Sequence, residues 1–397
     1  RRKYLRKMQG RYLQADRKER GQLLDEMETV TELHRKSLIR LMKGSLARQP
    51  RRRQRRHTYG PEVDDALRVI AESTDYICAE RLTPNLAWLA KHLAAHGELT
   101  VSAHLLEQLD RISVSTVERI LTRLRQDEPR LPRRGPKRTN NLLRDVPMKR
   151  IPWRTQEPGH FEVDLVHHCG PSVSGEYVCT IQMVDVATGW SERFAVLGRG
   201  YRVMESAFRV ILDRLPFPVL EIHPDNGSEF FNNHMLRFWH GLKPKPQLSR
   251  SRPYHKNDNR FVEQKNSTLV RAYLGYDRLD TVAQTLAVNL LYDKMGVYYN
   301  LFQPVMRLSE KTSLHEEGLP SRVKRRFDKA ATPFARLCAT KEISPEDKER
   351  LEALRDQTNP RQLRLEIYDL IDYIASLPCA VPGMTEDVRQ TLLASLY

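Results

Sequence analysis

The chain has 397 residues, enough for two to four domains, and its 66 Lys and Arg against 50 Asp and Glu leave a formal charge of +16. That excess points to a polyanionic partner and sits at one end, because residues 1–60 hold nineteen basic and six acidic side chains, a net of +13. No uninterrupted apolar run of about eighteen residues occurs, which excludes a helical membrane span, and the basic N-terminus has no signal-peptide core.

Five scattered cysteines (Cys78, Cys169, Cys179, Cys338, Cys379) form no CxxC, which excludes a disulfide framework or a zinc finger. An intracellular location is the expectation that follows.

The first module, residues 1–47, reads as helical. Leu23, Leu24, Met27 and Val30 mark one amphipathic helix, and Leu38, Ile39, Leu41 and Met42 a second after a short break, the proportions of a helix-turn-helix. In that reading Arg35, Lys36 and Arg40 lie on a helix that enters the major groove of DNA. A plain helical hairpin with a solvated basic face fits the same pattern. Residues 48–60 follow as a linker whose Arg51, Arg52, Arg53, Arg55 and Arg56 suit phosphate contacts or a narrow minor groove; a nuclear-localisation or RNA-binding tract is the competing explanation.

Residues 61–128 form a second helical module. Its final helix has Val117, Ile120, Leu121 and Leu124 facing inward and Arg119 and Arg123 facing out, again the proportions of a helix-turn-helix, or else of a bundle that binds nothing. A second basic linker, residues 129–154, contains Lys137 and Arg138.

From 155 to 310 the pattern turns to mixed α/β. Strands are expected at 160–168, 176–186 and 190–197, then a helix from Tyr201 to Leu215, a strand ending at Asp225, a helix at about 231–241 and a short strand near Gln247 to Ser249. A helix carrying Glu263 and another from Thr281 to Lys294 complete an α/β unit with a mixed five-stranded sheet. Residues 311–397 read as mainly helical, with starts at Ser344-Pro345 and Asn359-Pro360 and a further basic cluster at Lys324-Arg325-Arg326.

Three acids stand out in this stretch. Asp164 lies in mid-strand, on the opposite face from Phe161, Val163 and Leu165. Asp225 follows a strand and opens the turn Asp225-Asn226-Gly227, a place where the active sites of open sheets collect. Glu263 belongs in the first or second turn of a helix capped by Asn257 or Asp258 and running to about Leu274. Oxygen ligands of this kind suit Mg²⁺ or Mn²⁺.

His160-Phe161-Glu162-Val163-Asp164, His223-Pro224-Asp225-Asn226-Gly227-Ser228-Glu229-Phe230 and the stretch from Ser249 to Asn266 together resemble the DDE transposases of the retroviral-integrase superfamily, close to those of bacterial insertion sequences. The resemblance covers roughly 155–300 and implies a ribonuclease-H-like core in which Asp164, Asp225 and Glu263 hold two Mg²⁺ or Mn²⁺ ions. It also implies cleavage of transposon 3′ ends and their joining to target DNA, by a homo-oligomer on paired ends in the bacterial cytoplasm at the nucleoid. Whether an accessory ATPase takes part is not implied.

Retroviral integrases have an N-terminal zinc site of paired His and Cys; no such spacing exists here, so end recognition falls to the helical modules. Lys256, Lys265, Asn259 and Asn266 are expected as DNA contacts or site supports, the last two lying about one turn from Glu263 on the helix. Asp258 and Glu229 compete with Glu263 as third acid, while Glu162, Asp185 and the His167-His168-Cys169 run are not expected to be ligands.

Overall fold

The computed structural model describes residues 2–44, 46, 59–124, 157–224, 229–230, 232–249, 259–314, 322–381 and 383–393. By contacts the chain divides into two compact units, Arg1–Thr58 and Tyr59–Tyr397. Among the described residues no helix is long and apolar enough to cross a membrane.

The first unit holds helices α1 (Arg2–Gln14), α2 (Arg17–Thr31) and α3 (Arg35–Lys43) around Leu5, Met8, Leu23, Leu24, Met27, Leu38 and Met42. Asp16 caps α2, its carboxylate accepting from Glu19 N–H at 2.7 Å.

The second unit opens with helices α4 (Pro61–Ser73), α5 (Ala79–Leu82), α6 (Leu86–Ala95), α7 (Ala103–Arg111) and α8 (Val114–Leu124), packed about their own apolar cluster. These helices also bind to the rest of the unit. Tyr298 donates to the Ser73 carbonyl at 2.9 Å, Gln303 to that of Thr74 at 2.8 Å, and Arg361 pairs with Glu72 and Glu98 at 2.8 and 3.0 Å.

Strands β1 (His160–His167), β2 (Val178–Asp185), β3 (Ser191–Leu197), β4 (Glu221–Pro224) and β5 (Gln247–Leu248) form one mixed sheet in the order β3-β2-β1-β4-β5. β1 is antiparallel to β2 and parallel to β4, as hairpin-length gaps on one side and a helical crossover on the other require. The crossover is α9 (Tyr201–Arg214), and α10 (Asn233–Gly241) lies beside it. Their Phe208 and Trp239, 4.7 Å between ring centroids, join Phe161, Val163, Ile181, Met183 and Phe194 in the core on one face.

The other face of the sheet is covered by a continuous helix and a long one. The first comprises α11 (Arg260–Lys265), a π-helical stretch Asn266–Arg271 and α12 (Ala272–Leu274); the second is α13 (Val282–Val297), followed by π-helical Tyr298–Phe302. α13 starts in a capping box between Thr281 and Gln284. Covered on both faces, β2 and β3 are buried at every residue.

At the β3 edge, two asparagines supply what a neighbouring strand would. Asn289 exchanges two hydrogen bonds with the Ala195 backbone (2.7 and 2.9 Å), and Asn300 exchanges two with Ser191 (3.0 and 3.1 Å). The edge-facing backbone groups of Ser191 and Ala195 are thereby satisfied.

Beyond residue 302 the chain makes a hairpin of β6 (Leu308–Leu314) and β7 (Arg322–Phe327), a two-stranded sheet at the start of the region, 311–397, expected to be mainly helical. Helices α14 (Pro333–Cys338), α15 (Pro345–Gln357), α16 (Pro360–Ser376) and α17 (Gln390–Leu393) follow. The starts at Pro345 and Pro360 are those the sequence marks, with Ser344 and Asn359 as caps.

Candidate active site

Alternation along β1 sends Phe161, Val163 and Leu165 into the apolar core and leaves Glu162 and Asp164 on the face covered by α11. Asp164 is half-buried and pairs across the sheet with Gln182, which pairs with Arg193 on β3. Its Oδ2 accepts from Asn266 Nδ2 at 2.6 Å and its Oδ1 from the Leu165 N–H at 2.8 Å.

Glu263 lies in the first turn of α11 and is exposed. It sits three residues before Asn266 and so on the same side of the helix, one turn away. The structure therefore brings the strand of Asp164 and the helix of Glu263 together. Asp225 lies outside the described residues, as do Asn257 and Asp258. Pro224, the residue before Asp225, is the register partner of Val163, the residue before Asp164.

The caps marked by the sequence, Asn257 and Asp258, are among these undescribed residues. Asn259 occupies the cap position, but its side chain makes no capping bond. Glu162 does so instead: its Oε2 accepts from the backbone N–H groups of Phe261 at 2.7 Å and Val262 at 3.0 Å. Glu162 is fully buried, and burial pushes its carboxyl up to about 7 against the two backbone bonds and Arg260, with Glu263 adding to the rise. Among the described residues Oε1 of Glu162 and Oδ1 of Asn259 and Asn266 have no hydrogen-bond partner. Alternation marks Glu162 as sharing the Asp164 face; nothing local marks it as a cap for a segment 99 residues away.

Lys265, expected at a DNA surface, is half-buried among Arg81, Arg193 and Arg307, and burial together with these cations lowers its amine to about 7. Arg193 is 1% exposed and lies over the rings of Tyr292 and Tyr299, at 5.9 and 5.7 Å. His168 is buried beside Thr180 at 2.9 Å and held neutral down to about 3 by burial and Arg271. Asp185 accepts from Gly159 and Thr188 and closes the β2–β3 turn. Neither is placed as a ligand.

Among the described residues no group of three or more His, Cys, Asp or Glu is placed to hold a metal ion. Asn266 turns its amide nitrogen to Asp164, and the carboxylates of Asp164 and of Glu263, a turn from Asn266, are oxygen donors of the kind Mg²⁺ or Mn²⁺ takes.

The other basic residues singled out by the sequence divide into two groups. Lys36, Arg40, Arg119 and Arg123 are exposed, Arg123 paired with Asp64, whereas Arg35 is tied to α2 through Asp25, Glu28 and the Gly21 carbonyl. Arg51, Arg52, Arg53, Arg55, Arg56, Lys137, Arg138 and Lys256 lie outside the described residues.

A curated relative, the uncharacterized protein y4rM of Sinorhizobium fredii (strain NBRC 101917 / NGR234), is 36% identical over 329 residues, which cover 82% of this chain and 91% of that protein. No protein-family model matches the chain. Among solved structures, a simian T-cell lymphotropic virus intasome in complex with PP2A regulatory subunit B56 gamma is similar at 18% identity over 47% of this chain and 59% of that one, with a TM-score of 0.27. The catalytic core domain of BIV integrase is similar at 17% identity over 36% of this chain and 85% of that one, with a TM-score of 0.26.

Proposed function

Starting from the chain's membership of the same family as the rhizobial protein y4rM, we propose that it is a DDE-type DNA transposase, a polynucleotidyl transferase that binds the inverted repeats at transposon ends, cleaves the 3′ ends and joins them to target DNA. The observation that carries this reading is the tie between Asn266 and Asp164, which fixes the helix of Glu263 on the strand of Asp164. A half-buried strand carboxylate held beside a helix with an exposed one is the arrangement a phosphoryl-transfer site needs.

In this reading Asp164, Asp225 and Glu263 hold two Mg²⁺ or Mn²⁺ ions. Bound there, the ions supply activation of the attacking water or DNA 3′-hydroxyl and stabilise the leaving oxygen of an in-line displacement. Asp164 would be the ligand shared between the ions, with Asp225 and Glu263 as the other carboxylates that would hold them. Asn266 keeps the Asp164 carboxylate in a single orientation, and no protein residue becomes covalently attached to DNA. The protein works as a homo-oligomer on paired ends, with Lys36, Arg40, Arg119 and Arg123 among the groups that meet DNA phosphates.

The test is strand transfer of a labelled, pre-cut transposon end in Mg²⁺. Asp164→Asn is expected to abolish joining while end binding stays within about two-fold of wild type. Joining retained by the purified variant would sink the assignment. Cleavage without any joined product from the wild-type protein would make it a nuclease, and end binding with neither product would make it a DNA-binding regulator.

A further inference from the structure

The helix from Arg260 to Leu274 begins with backbone N–H groups that have no partner within the helix. The residue at the cap position, Asn259, is 6% exposed and does not serve them. The service comes from the sheet, where Glu162 Oε2 accepts from Phe261 and Val262 at 2.7 and 3.0 Å. A second tie runs from the same strand, two residues on, where Asp164 Oδ2 accepts from Asn266 at 2.6 Å.

The two ties match in spacing. Residues two apart on a strand are separated by about 6.6 Å, and Val262 and Asn266, four apart on a helix, by about 6 Å of rise. The helix is thus tied to β1 at two points whose spacing along strand and helix is about equal. Glu263 follows directly after the first tie and precedes the second by three residues, so its position relative to Asp164 is set by both. Chemistry also marks Glu162 as more than filler. A fully buried carboxylate beside another carboxylate is costly to ionise, and an apolar side chain would pack that position without the cost.

We propose that Glu162 is a positioning residue: by capping α11 from β1 it sets the depth and rotation of the Glu263 helix against Asp164, so that strand and helix carboxylates present one site. The assignment rests on the catalytic reading of Asp164 and Glu263. It separates capping from charge, because a glutamine at 162 keeps an acceptor oxygen and loses the charge, whereas a leucine keeps the volume and loses the acceptor.

The experiment compares Glu162→Leu and Glu162→Gln in the full chain by steady-state strand transfer and by amide exchange of the 259–266 segment. Glu162→Leu is expected to lower kcat ten-fold or more with KM for end DNA changed less than two-fold, and to speed exchange at Phe261 and Val262. Glu162→Gln is expected to recover most of both. A leucine variant with wild-type kcat and exchange overturns the proposal, and so does equal loss in both variants, which would make charge and not capping the property that matters.

Should the leucine variant fail to fold, Glu162→Asp withdraws the carboxylate by one methylene. It is expected to lower kcat in the same way, and wild-type turnover would overturn the proposal. Active Asp164→Asn would defeat the catalytic reading, yet the exchange measurement would still decide whether Glu162 caps the helix.

Discussion

Two adjacent residues of β3 are buried on opposite faces of the sheet with opposite charge. Arg193 lies on the Asp164 face between two tyrosines, while Glu192, 7% exposed, accepts from Trp190 Nε1 at 2.9 Å and from Asn300 at 3.3 Å. Burial raises the Glu192 carboxyl to about 7, against the pull of Arg193 and Arg214 and with Asp293 adding to the rise. The folded protein therefore holds this proton more tightly than the unfolded chain, where a glutamate titrates at about 4.3. Its contribution to stability is full below that pH and is lost as pH rises through 7. Glu192→Gln keeps the acceptor and removes the titration. Urea unfolding should show the variant more stable than wild type at pH 8 by at most roughly 3.7 kcal/mol, and within about 0.6 kcal/mol of it at pH 4.5. A difference independent of pH would place the titration elsewhere. At this scale the sequence shows which residues share a face, Glu162 and Asp164 among them, because alternation is local. It does not show that Glu162 ends on a helix start or that Lys265 is drawn among three arginines, because both depend on partners far away in sequence, 99 residues on for Glu162 and as far as Arg81 for Lys265.

Elements were legible where periodicity and turn chemistry agree. The three antiparallel strands, the crossover helix and the short strand before Asp225 fall within two residues of their expected limits. The helix of Glu263 also begins within two residues of its expected start and ends at Leu274, but the capping of α11 by Glu162 from β1 was not legible. The β6–β7 hairpin was hidden as well: charged residues break its alternation, and only the Lys324-Arg325-Arg326 run stood out. In the structure four of the six residues of β7 are basic, and Arg325, Arg326 and Phe327 are exposed. The hairpin base is fixed where Asp328 accepts from the Arg307 N–H at 2.7 Å and pairs with Arg336 at the same distance. A two-stranded ribbon is narrow enough for the major groove, and alternation turns Arg325 and Arg326 to opposite sides of it. Replacing both by alanine should weaken end binding and lower the slope of log affinity against log salt by about 1 to 2, with the melting temperature unchanged. Wild-type affinity and slope in that double variant would remove the hairpin from the DNA interface.

Across the whole molecule, charge and apolar burial are distributed differently. Residues 1–58 carry nineteen of the 66 basic groups and six of the 50 acidic ones, so residues 59–397, with 47 and 44, are close to neutral. Apolar burial gives each unit its own core, and the larger unit is knit internally through Asp75, which accepts from Tyr273 at 2.8 Å and Tyr368 at 2.9 Å. Those bonds offset the left-handed backbone at Asp75 and Tyr76, which costs on the order of 1 kcal/mol or more per residue. A chain built this way should lose electrostatic attraction to DNA without losing its folded core when the first unit is removed. A protein comprising residues 59–397 is therefore expected to keep the cooperative thermal transition of that unit within about 2 °C, since no core residue is lost. Its affinity for duplex DNA should fall by ten-fold or more at 50 mM salt, and the salt slope should drop by several units, because each phosphate contact adds about 0.9. The sign of the salt effect is what separates this from a loss of fold. If the first unit acts through phosphates, the two proteins converge in affinity as salt rises, whereas damage to the larger unit would leave the gap constant. A truncated protein with an unchanged salt slope would show that the concentrated charge of residues 1–58 is not what meets DNA.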